Sequence, residues 1–336
     1  MKVLFLNESG VEQLLAMEAC IPLMRETLET LARGDAVLPL RNMVRLPDGS
    51  GILGLMPGYL AKPESFGLKV VSVMPGNHGT PYDSHQGVVM LFGVKHGEPL
   101  AILDATAITA IRTAAVSGAA TQALARADAG DLALLGSGVQ ARTHLPAMAA
   151  VRTLRRVRVW SRTHAHAEAF ASSNRAASNG VAIEVSASAE EAVRGADLIC
   201  TTTATKQPIL EGRWLSAGAH INAVGACFPA CRELDTEAVV RSRFYCDRRE
   251  SVGSEAGDFL IPRREGAIGS DHIVGEIGEV AIGRAPGRSR PDEITLFKSL
   301  GIAVEDVAAA EHIHRRARAV GKGFLVDLGG RRMTYD

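Results

Sequence analysis

The sequence predicts an α/β protein in which a Rossmann domain, a doubly wound parallel sheet, is joined to a second domain of the α+β type. Three observations predict this fold class. Strands and helices alternate after Gly130, a glycine-rich turn follows the first strand of that alternation, and β-rich segments separated by Pro and Gly turns precede it. We expect residues 116–303 to form the Rossmann domain, and residues 1–115, completed by 304–336, to form the second domain.

The first part of the chain opens with apolar periodicity that predicts a helix over residues 10–33. A further helix is predicted to start at Arg112. Such a module leaves one sheet face or edge to be covered, and a second subunit is the usual cover. Between the two helices, short apolar runs predict strands at residues 41–45, 52–56, 68–74 and 87–92.

The second part of the chain alternates strands with helical or mixed segments, as a doubly wound parallel sheet requires. Pro146 lies about two turns into the first of these helices and should kink or shorten it. Helical spacing over residues 304–320 predicts a last helix that packs back on the first module. The predicted strands of the parallel sheet are 132–135, 156–161, 181–185, 198–203, 220–224 and 244–247.

A glycine turn follows the first strand of the parallel sheet. From Gly136 to Ala141 the chain reads Gly-Ser-Gly-Val-Gln-Ala, the G-x-G-x-x-A spacing of dinucleotide-binding sites. Gly136 permits the tight turn, and Gly138 lets the backbone approach a pyrophosphate, which the N-terminus of the next helix attracts. The alternative is an ordinary turn, since this glycine spacing also occurs by chance.

The end of the second strand of the parallel sheet indicates which dinucleotide binds. An NAD site usually has Asp or Glu there, roughly 20 residues beyond the glycines. Here the strand ends in Ser161, Arg162 and Thr163, and no carboxylate occurs between Arg152 and His166. A guanidinium with two hydroxyls suits a 2′-phosphate, so we expect NADPH rather than NADH. The alternative is that Arg162 is a solvated surface residue.

Composition excludes several classes of protein. The 37 basic and 37 acidic residues balance, without the positive excess of nucleic-acid and membrane-surface proteins. The first apolar run is too short for a signal peptide, and no segment approaches the roughly 18 apolar residues of a membrane span. Five cysteines fit free thiols, and Cys227 and Cys231 lack a second ligand pair for zinc. We expect a cytoplasmic protein with no metal, nucleic-acid or membrane partner.

Three cations of the first module stand where a surface role explains them poorly. Arg41 opens a strand, Lys69 lies within an apolar run, and Arg112 starts a helix. A cation in apolar surroundings is costly unless it is paired. One natural partner is an anionic ligand, because Arg grips a carboxylate with two bonds and Lys adds a point charge that can also donate a proton. The other is a buried Asp or Glu, and spacing does not decide between the two.

Motifs along nearly the whole chain resemble those of the ornithine cyclodeaminase and mu-crystallin family. The resemblance implies a homodimer, with the Rossmann domain inserted between parts of a substrate and dimerisation domain, a nicotinamide cofactor and a small amino or imino acid substrate. The motifs are Arg41, Leu55-Met-Pro-Gly-Tyr59, Gly67-Leu-Lys69, His85-Gln-Gly87, Ile111-Arg-Thr-Ala-Ala115, the glycine turn, Ile221-Asn-Ala-Val-Gly225 and the segment from Thr295 to Asp306.

The same resemblance implies roles for individual residues. Arg41, Lys69 and Arg112 would hold the substrate carboxylate, and Cys227 would lie beside the substrate. The cofactor would be lined by Ser84, His85, Gln86, Arg112, Thr113, Gly136, Gly138, Val139, Gln140, Ser161, Arg162, Thr163, Thr202, Thr203, Val224 and Ser299.

Two departures from the family pattern bear on the reaction. Cyclodeaminases carry an acidic residue just before the Leu-Met-Pro segment and an Asp in the loop after Asn-Ala-Val-Gly, where this chain has Gly54 and Cys227. Neither glycine nor a thiol replaces a carboxylate at neutral pH, so ornithine cyclodeamination is not expected. An alanine dehydrogenase of the family also uses the missing Asp, whereas ketimine reductases similar to mu-crystallin lack it and carry the basic strand end.

The reaction that the resemblance favours is reduction of a cyclic ketimine carboxylate, Δ1-pyrroline-2-carboxylate or Δ1-piperideine-2-carboxylate, to L-proline or L-pipecolate. Lys69 is our candidate for the catalytic proton donor, with an ordered water as its alternative, and Cys227 is less favoured because it also fits a small loop residue. Other functions stay open: a redox-neutral lyase of the family (a hydroxyproline dehydratase or an ornithine cyclodeaminase), an alanine dehydrogenase, or a protein that binds NADPH and a ligand without turnover.

Overall fold

A computed structural model describes residues 1–77 and 79–330, and the chain divides into two compact units. Unit 1 comprises Met1–Arg112 and Ile302–Asp336, and unit 2 comprises Thr113–Gly301. The sequence places the two boundaries after residue 115 and before residue 304. In the structure the chain passes from one unit to the other at residues 112/113 and 301/302.

Unit 1 is built on a mixed sheet of eight strands. Strands β1 and β7 pair in parallel, and every other pairing of this sheet among the described residues is antiparallel. The order is β16-β1-β7-β6-β5-β4-β2, with β3 beside β4. Numbered in chain order, its strands are β1 (Lys2–Leu6), β2 (Ala36–Val37), β3 (Asn42–Arg45), β4 (Ile52–Ala61), β5 (Glu64–Val73), β6 (His85–Phe92), β7 (Pro99–Asp104) and β16 (Phe324–Asp327).

Among the described residues, three α-helices belong to unit 1 and a fourth crosses its boundary. They are α1 (Glu8–Leu14), α2 (Met17–Arg33) and α11 (Ala303–Val320), while α3 (Ala105–Leu124) begins in unit 1 and ends in unit 2. The single helix predicted over residues 10–33 is therefore two helices. The prediction that a helix starts at Arg112 was wrong, because Arg112 lies in the middle of α3.

Helix α11 packs closely on the sheet because two strand glycines leave room for it. A Cβ at Gly58 would lie 3.3 Å from Ala303 Cβ. One at Gly67 would lie 2.5 Å from Met90 O and 3.2 Å from Val307 Cγ2. This close approach buries the first two turns of α11 completely, including its two acidic residues.

The opposite face of the same sheet is apolar and partly exposed. Side chains alternate between the two faces of a strand, so Phe66 and Leu68 point away from the face that contacts α11. Phe66 is 44% exposed and lies opposite Phe92, with ring centroids 6.1 Å apart. Leu68 is in register with Met90, and Met90 with Ile102. This row across β5, β6 and β7, here named the outer apolar row, has no cover within the described residues.

Unit 2 is a parallel sheet of eight strands, in the order β10-β9-β8-β11-β12-β15-β13-β14. Strand β8 is almost wholly apolar and buried, as a strand covered on both faces requires. The strands are β8 (Asp131–Leu135), β9 (Arg156–Trp160), β10 (Ile183–Val185), β11 (Leu198–Thr201), β12 (His220–Ala223), β13 (Ser242–Cys246), β14 (Ile273–Glu276) and β15 (Ile294–Lys298).

The helices of unit 2 follow its strands in the right order for a doubly wound fold. They are α4 (Val139–Val151), α5 (His164–Ser173), α6 (Ala189–Val193), α7 (Thr236–Val240), α8 (Arg249–Glu255), α9 (Gly257–Arg264) and α10 (Ile277–Ala281). Helix α4 continues through Pro146 to Val151, so this proline does not end it.

The structure confirms the predicted fold class, a Rossmann sheet together with an α+β module. All six predicted strands of the parallel sheet are present, although the third is shorter than residues 181–185. Strands β14 and β15 were not predicted. Among the described helices, none combines the length and apolarity needed to cross a bilayer.

Candidate functional site

The parallel sheet of unit 2 has a switch point between β8 and β11. From β8 the chain winds outward in one direction through β9 and β10, and then in the other through β11 and β12. Ligands of open α/β sheets bind beyond the carboxyl ends of the strands at such a point. The crevice therefore lies at the ends of β8 and β11, where the predicted glycine turn and Thr202 stand.

The two glycines of the turn differ in their backbone conformation and in the space around them. Gly136 has a φ of +119°, and a Cβ there would lie 2.7 Å from Thr202 Oγ1, so any larger residue would clash. Gly138 has open space around its Cβ position and precedes Val139, the first residue of α4. No side chain caps this 13-residue helix, which leaves its first N–H groups available to a phosphate.

The end of β9 carries the residues predicted to select the dinucleotide. Arg162 is exposed and makes no ion pair or hydrogen bond with a described residue. Ser161 is half-buried and Thr163 is exposed, at the position before α5. Within the described chain, the only cation of this strand end therefore has no ion-pair partner, which is compatible with binding of a ligand phosphate.

Glu233 accepts hydrogen bonds from the strand ends that border the crevice. Its buried carboxylate accepts hydrogen bonds from Thr201 Oγ1 (2.7 Å), from the backbone N–H and Oγ1 of Thr203 (2.6 and 2.7 Å), and from the Gly225 N–H (2.7 Å). Burial raises the pKa of Glu233. These bonds fix the ends of β11 and β12, where the predicted cofactor residues Thr202, Thr203 and Val224 lie.

A buried ion pair lies next to Glu233. Lys298 Nζ is 2.9 Å from Asp258 Oδ2, and neither side chain is exposed. Asp258 Oδ1 also accepts the backbone N–H groups of Glu233 and Leu234. Burial acts to lower the pKa of Lys298, but the charges of Asp258 and Glu233 oppose this effect and the pKa is raised. The neighbouring acids therefore keep Lys298 protonated despite its burial.

Two of the predicted cofactor residues have a buried oxygen without a hydrogen-bond partner among the described residues. Gln140 Oε1 and Ser299 Oγ are buried and have no hydrogen-bond partner within the described residues. Buried polar atoms are almost always hydrogen-bonded in a complete structure. Together with the uncapped α4 and the open space at Gly138, these atoms fit a dinucleotide along the ends of β8, β11 and β15.

In unit 1, Lys69 lies within the sheet and its ammonium is buried. The side chain is 3% exposed and comes from β5, on the face that packs against α11. Its Nζ donates to Thr109 Oγ1 at 2.6 Å and to Asp306 Oδ1 at 3.1 Å. Two of its three N–H donors are thus engaged among the described residues.

Arg112 reaches the same acidic residues from α3. It is one turn beyond Thr109, so both side chains lie on one helix face. Its Nε donates to Asp306 Oδ1 at 2.9 Å and its Nη1 to Glu305 Oε2 at 2.6 Å. Asp306 Oδ1 therefore bridges Lys69 and Arg112. The second sequence alternative, pairing with a buried acid, is correct for both cations, and their role toward a substrate stays a prediction.

The surrounding charges set the proton affinity of Lys69. Burial lowers the pKa of Lys69 to about 8; Asp306 opposes this shift, and Arg112 and Arg41 add to it. A group with this pKa is mostly protonated at neutral pH yet gives up its proton more readily than an ordinary lysine. The cluster therefore contains two buried cations paired with Asp306 and Glu305, and one of them, Lys69, carries a readily released proton.

Of the remaining predicted residues of unit 1, Arg41 and His85 interact electrostatically with Lys69. Arg41 is half-buried immediately before β3, and its charge acts on Lys69. Ser84, His85 and Gln86 stand at the start of β6, where Ser84 Oγ is 3.1 Å from His85 Nδ1. Partial desolvation and the charge of Lys69 lower the pKa of His85.

The two positions that depart from the family pattern lie in different units. Gly54 is in β4, where a Cβ would lie 3.2 Å from Met43 Sδ and 3.4 Å from Val71 Cγ1, so the position is packed by apolar groups. Cys227 follows β12 in unit 2, is half-buried, and donates a weak hydrogen bond to Val224 O at 3.5 Å. Neither position supplies a carboxylate.

Sequence reasoning did not assign Glu305, Asp306, Glu233, Asp258 or Lys298. A signal for the first pair was available, because Glu305 and Asp306 interrupt an apolar run as Lys69 does. None of the five cysteines is part of a disulfide bond in the structure. Within residues 1–77 and 79–330, no group of three or more His, Cys, Asp and Glu side chains is arranged to hold a metal ion.

Comparison with known proteins gives a consistent match. Residues 1–321 match the model of the ornithine cyclodeaminase/mu-crystallin family. Over 314 residues, 92% of this chain and 96% of the relative, the sequence is 39% identical to ketimine reductase mu-crystallin of Mus musculus.

Two solved structures share the whole architecture. The Δ1-pyrroline-2-carboxylate reductase of Thermococcus litoralis, in complex with NADH and L-proline, superposes with a TM-score of 0.94 at 37% identity, over 96% of this chain and all of that one. An archaeal alanine dehydrogenase dimer with bound NAD gives a TM-score of 0.92 at 31% identity, over 98% of this chain and all of that one.

Proposed function

The chain belongs to the ornithine cyclodeaminase/mu-crystallin family, and on that premise we propose that it reduces a cyclic ketimine carboxylate with NADPH. The substrate is Δ1-pyrroline-2-carboxylate or Δ1-piperideine-2-carboxylate, and the product is L-proline or L-pipecolate. Similarity to a ketimine reductase and to a Δ1-pyrroline-2-carboxylate reductase supports the reaction class. Reduction of the C=N bond consumes one NADPH and one proton and releases NADP⁺.

The observation that carries the proposal is the buried cation cluster of Lys69 and Arg112. Their ion pairs to Asp306 and Glu305 hold both cations in fixed positions before any ligand arrives. We assign to Arg41, Lys69 and Arg112 the binding of the substrate carboxylate, which would fix the imine carbon and lower the barrier by positioning. Lys69 would protonate the imine nitrogen, because its pKa of about 8 keeps a transferable proton at neutral pH.

Unit 2 would hold the cofactor at its switch point. The N-terminus of α4 and Gly138 would receive the pyrophosphate. Ser299 Oγ would donate a hydrogen bond to the cofactor, and Gln140 Oε1 would accept one from a hydroxyl or amide group of the cofactor. When bound, NADPH supplies the hydride that reduces the imine carbon. Arg162 supports NADPH over NADH, although the solved relatives named above carry NADH and NAD.

The two missing acids argue against ornithine cyclodeamination. That reaction needs a site for the distal amine and a carboxylate to manage its proton. Gly54 is enclosed by apolar side chains, and Cys227 provides a thiol in place of a carboxylate. A cyclic ketimine carries no distal amine and needs neither group.

We propose further that the outer apolar row of unit 1 forms a homodimer interface with a second copy of this chain. Its aromatic and aliphatic side chains, including Phe66, Leu68 and Met90, form a continuous surface across three strands. Exposed apolar patches of this kind mark interaction sites. The dimeric alanine dehydrogenase of the same fold supports the assignment.

The test is a substrate screen of the purified protein, followed at the nicotinamide absorbance. The two cyclic imino acids are offered with NADPH and NADH, and L-ornithine, L-alanine and a hydroxyproline are offered with NAD⁺. We expect oxidation of NADPH with a cyclic imino acid alone. Turnover of L-alanine, or ammonia or water loss without consumption of cofactor, would assign the chain to another activity of its family, and tight binding without turnover to a binding protein.

A further inference from the structure

Two acidic residues at the start of α11 lie in the interior of unit 1. Glu305 and Asp306 are both 0% exposed. The whole of unit 2 lies between them and Arg112 in the sequence. Burial of two carboxylates is costly, and apolar residues of similar volume would often serve stability as well or better. Stability of the fold therefore does not explain why two acidic residues are buried here.

The geometry of Asp306 differs from that of an ordinary ion pair. A single oxygen, Oδ1, accepts from Lys69 Nζ at 3.1 Å and from Arg112 Nε at 2.9 Å. The second oxygen, Oδ2, is buried without a hydrogen-bond partner among the described residues. One atom thus contacts both the ammonium from β5 and the guanidinium from α3, and so sets the distance between them, in addition to the bond that Lys69 Nζ donates to Thr109 Oγ1 of α3.

We propose that Asp306 is a positioning residue, which holds Lys69 and Arg112 at the spacing that grips a substrate carboxylate. The inference rests on the proposed function for the identity of that carboxylate. Glu305 assists by accepting from Arg112 Nη1 at 2.6 Å, and the N-terminus of α11 stabilises both negative charges. Asp306 does not contact the reacting atoms in this role; it acts through the two cations.

A second consequence concerns the proton on Lys69. The charged groups that face Lys69 are Asp306 from α11, Arg112 from α3, Arg41 before β3 and His85 from β6. Asp306 is the one carboxylate of this set that opposes the effect of burial. Without its charge the pKa of Lys69 falls, so an activity that needs protonated Lys69 is lost at a lower pH than in the wild type.

The experiment compares Asp306→Asn with the wild type by two measurements. Kinetics give the alkaline limb of kcat/KM, which we expect near pH 8 in the wild type and lower by about 1 unit in the variant, the size expected for loss of one close opposite charge. NMR of lysine labelled with ¹³C at Cε gives the pKa of Lys69 directly. The chain has only seven lysines, and the Lys69 signal is the one absent from Lys69→Arg.

Glu305→Gln is the matched control, since it neutralises the neighbouring buried acid that contacts Arg112. We expect it to raise KM and to shift the Lys69 titration by less than Asp306→Asn does. Asp306→Glu, which keeps the charge and displaces it, should leave the Lys69 titration near that of the wild type while raising KM at least tenfold. If Asp306→Asn does not fold, Asp306→Glu carries the test, and an unchanged KM would overturn the proposal.

The outcomes separate this inference from the proposed function. A Lys69 titration that does not move in Asp306→Asn, or a loss of kcat with an unmoved pH profile, would show that Asp306 is only structural. A shifted Lys69 titration in a protein that reduces no cyclic imine would leave the positioning role and overturn the proposed reaction.

Discussion

Replacement of Lys69 by Met should separate the part that this buried cation has in the reaction from its part in stability. Methionine keeps most of the unbranched stem and removes the ammonium, which donates to Thr109 and Asp306 in the wild type. We expect activity to be lost while the free energy of unfolding changes little.

The expected change in stability is small because two contributions offset. The pKa of Lys69 falls from 10.5 to about 8, so its charged form costs about 3 kcal/mol more in the folded than in the unfolded chain, and methionine relieves this cost. Against it, two hydrogen bonds are lost, which contribute about 1–3 kcal/mol together. Asp306 keeps its bond to Arg112 and is not left as an unpaired charge. We therefore expect the free energy of unfolding to stay within about 2 kcal/mol of the wild type.

The activity should behave differently. Loss of a general acid costs about 10²- to 10⁴-fold in rate, and loss of one contact to the substrate carboxylate adds to it. The measurements are kcat/KM for the cyclic imino acid with NADPH, and the denaturant midpoint at neutral pH.

Lys298→Met is the matched control for stability. Its ammonium is also buried, but the ion pair with Asp258 raises its pKa, so that the charged form is favoured by folding. Its removal should cost about 3–5 kcal/mol, because a buried carboxylate loses its cation. The reasoning fails if Lys69→Met is destabilised as strongly as Lys298→Met, or if it keeps kcat/KM within tenfold of the wild type.

Three further predictions test the cofactor, the substrate and the assembly. Arg162→Asp should lower kcat/KM for NADPH by about ten- to a hundredfold relative to NADH, because a charge-assisted phosphate contact is lost. Arg175→Asp, which replaces an exposed arginine on the same unit, should not change this ratio. Equal use of both cofactors by the wild type would contradict the prediction from the strand end. L-ornithine with catalytic NAD⁺ should give neither proline nor ammonia, because no carboxylate stands at positions 54 and 227; proline formation at a rate comparable to imine reduction would contradict this. Light scattering coupled to size exclusion should show the proposed homodimer for the wild type and a monomer for Leu68→Glu, which places a charge in the outer apolar row. Val240→Glu on unit 2 should stay dimeric. A dimeric Leu68→Glu would place the interface elsewhere, and a monomeric wild type would contradict the proposed interface.

The local sequence was enough to predict the parallel sheet of unit 2 and the glycine turn that follows β8. A strand buried on both faces reads as a short apolar run, and the turn after it needs a glycine wherever φ is positive, as at Gly136. Both signals lie within a few residues of each other, so no tertiary contact is needed to find them. The position of Arg162 after the second strand followed from the same short segment, since a strand end and its neighbours are fixed by chain connectivity. Only the structure shows that Arg162 makes no ion pair with a described residue.

Only the tertiary structure decided how the cations of unit 1 are paired. The sequence showed that Lys69 and Arg112 needed partners, but it left a ligand and a buried acid equally open. Asp306 is 237 residues from Lys69 and 194 from Arg112, and their contact depends on how closely α11 approaches the glycines of β4 and β5. The cost of a buried charge is a local property of the chain, whereas the group that neutralises it is chosen by packing between segments distant in sequence.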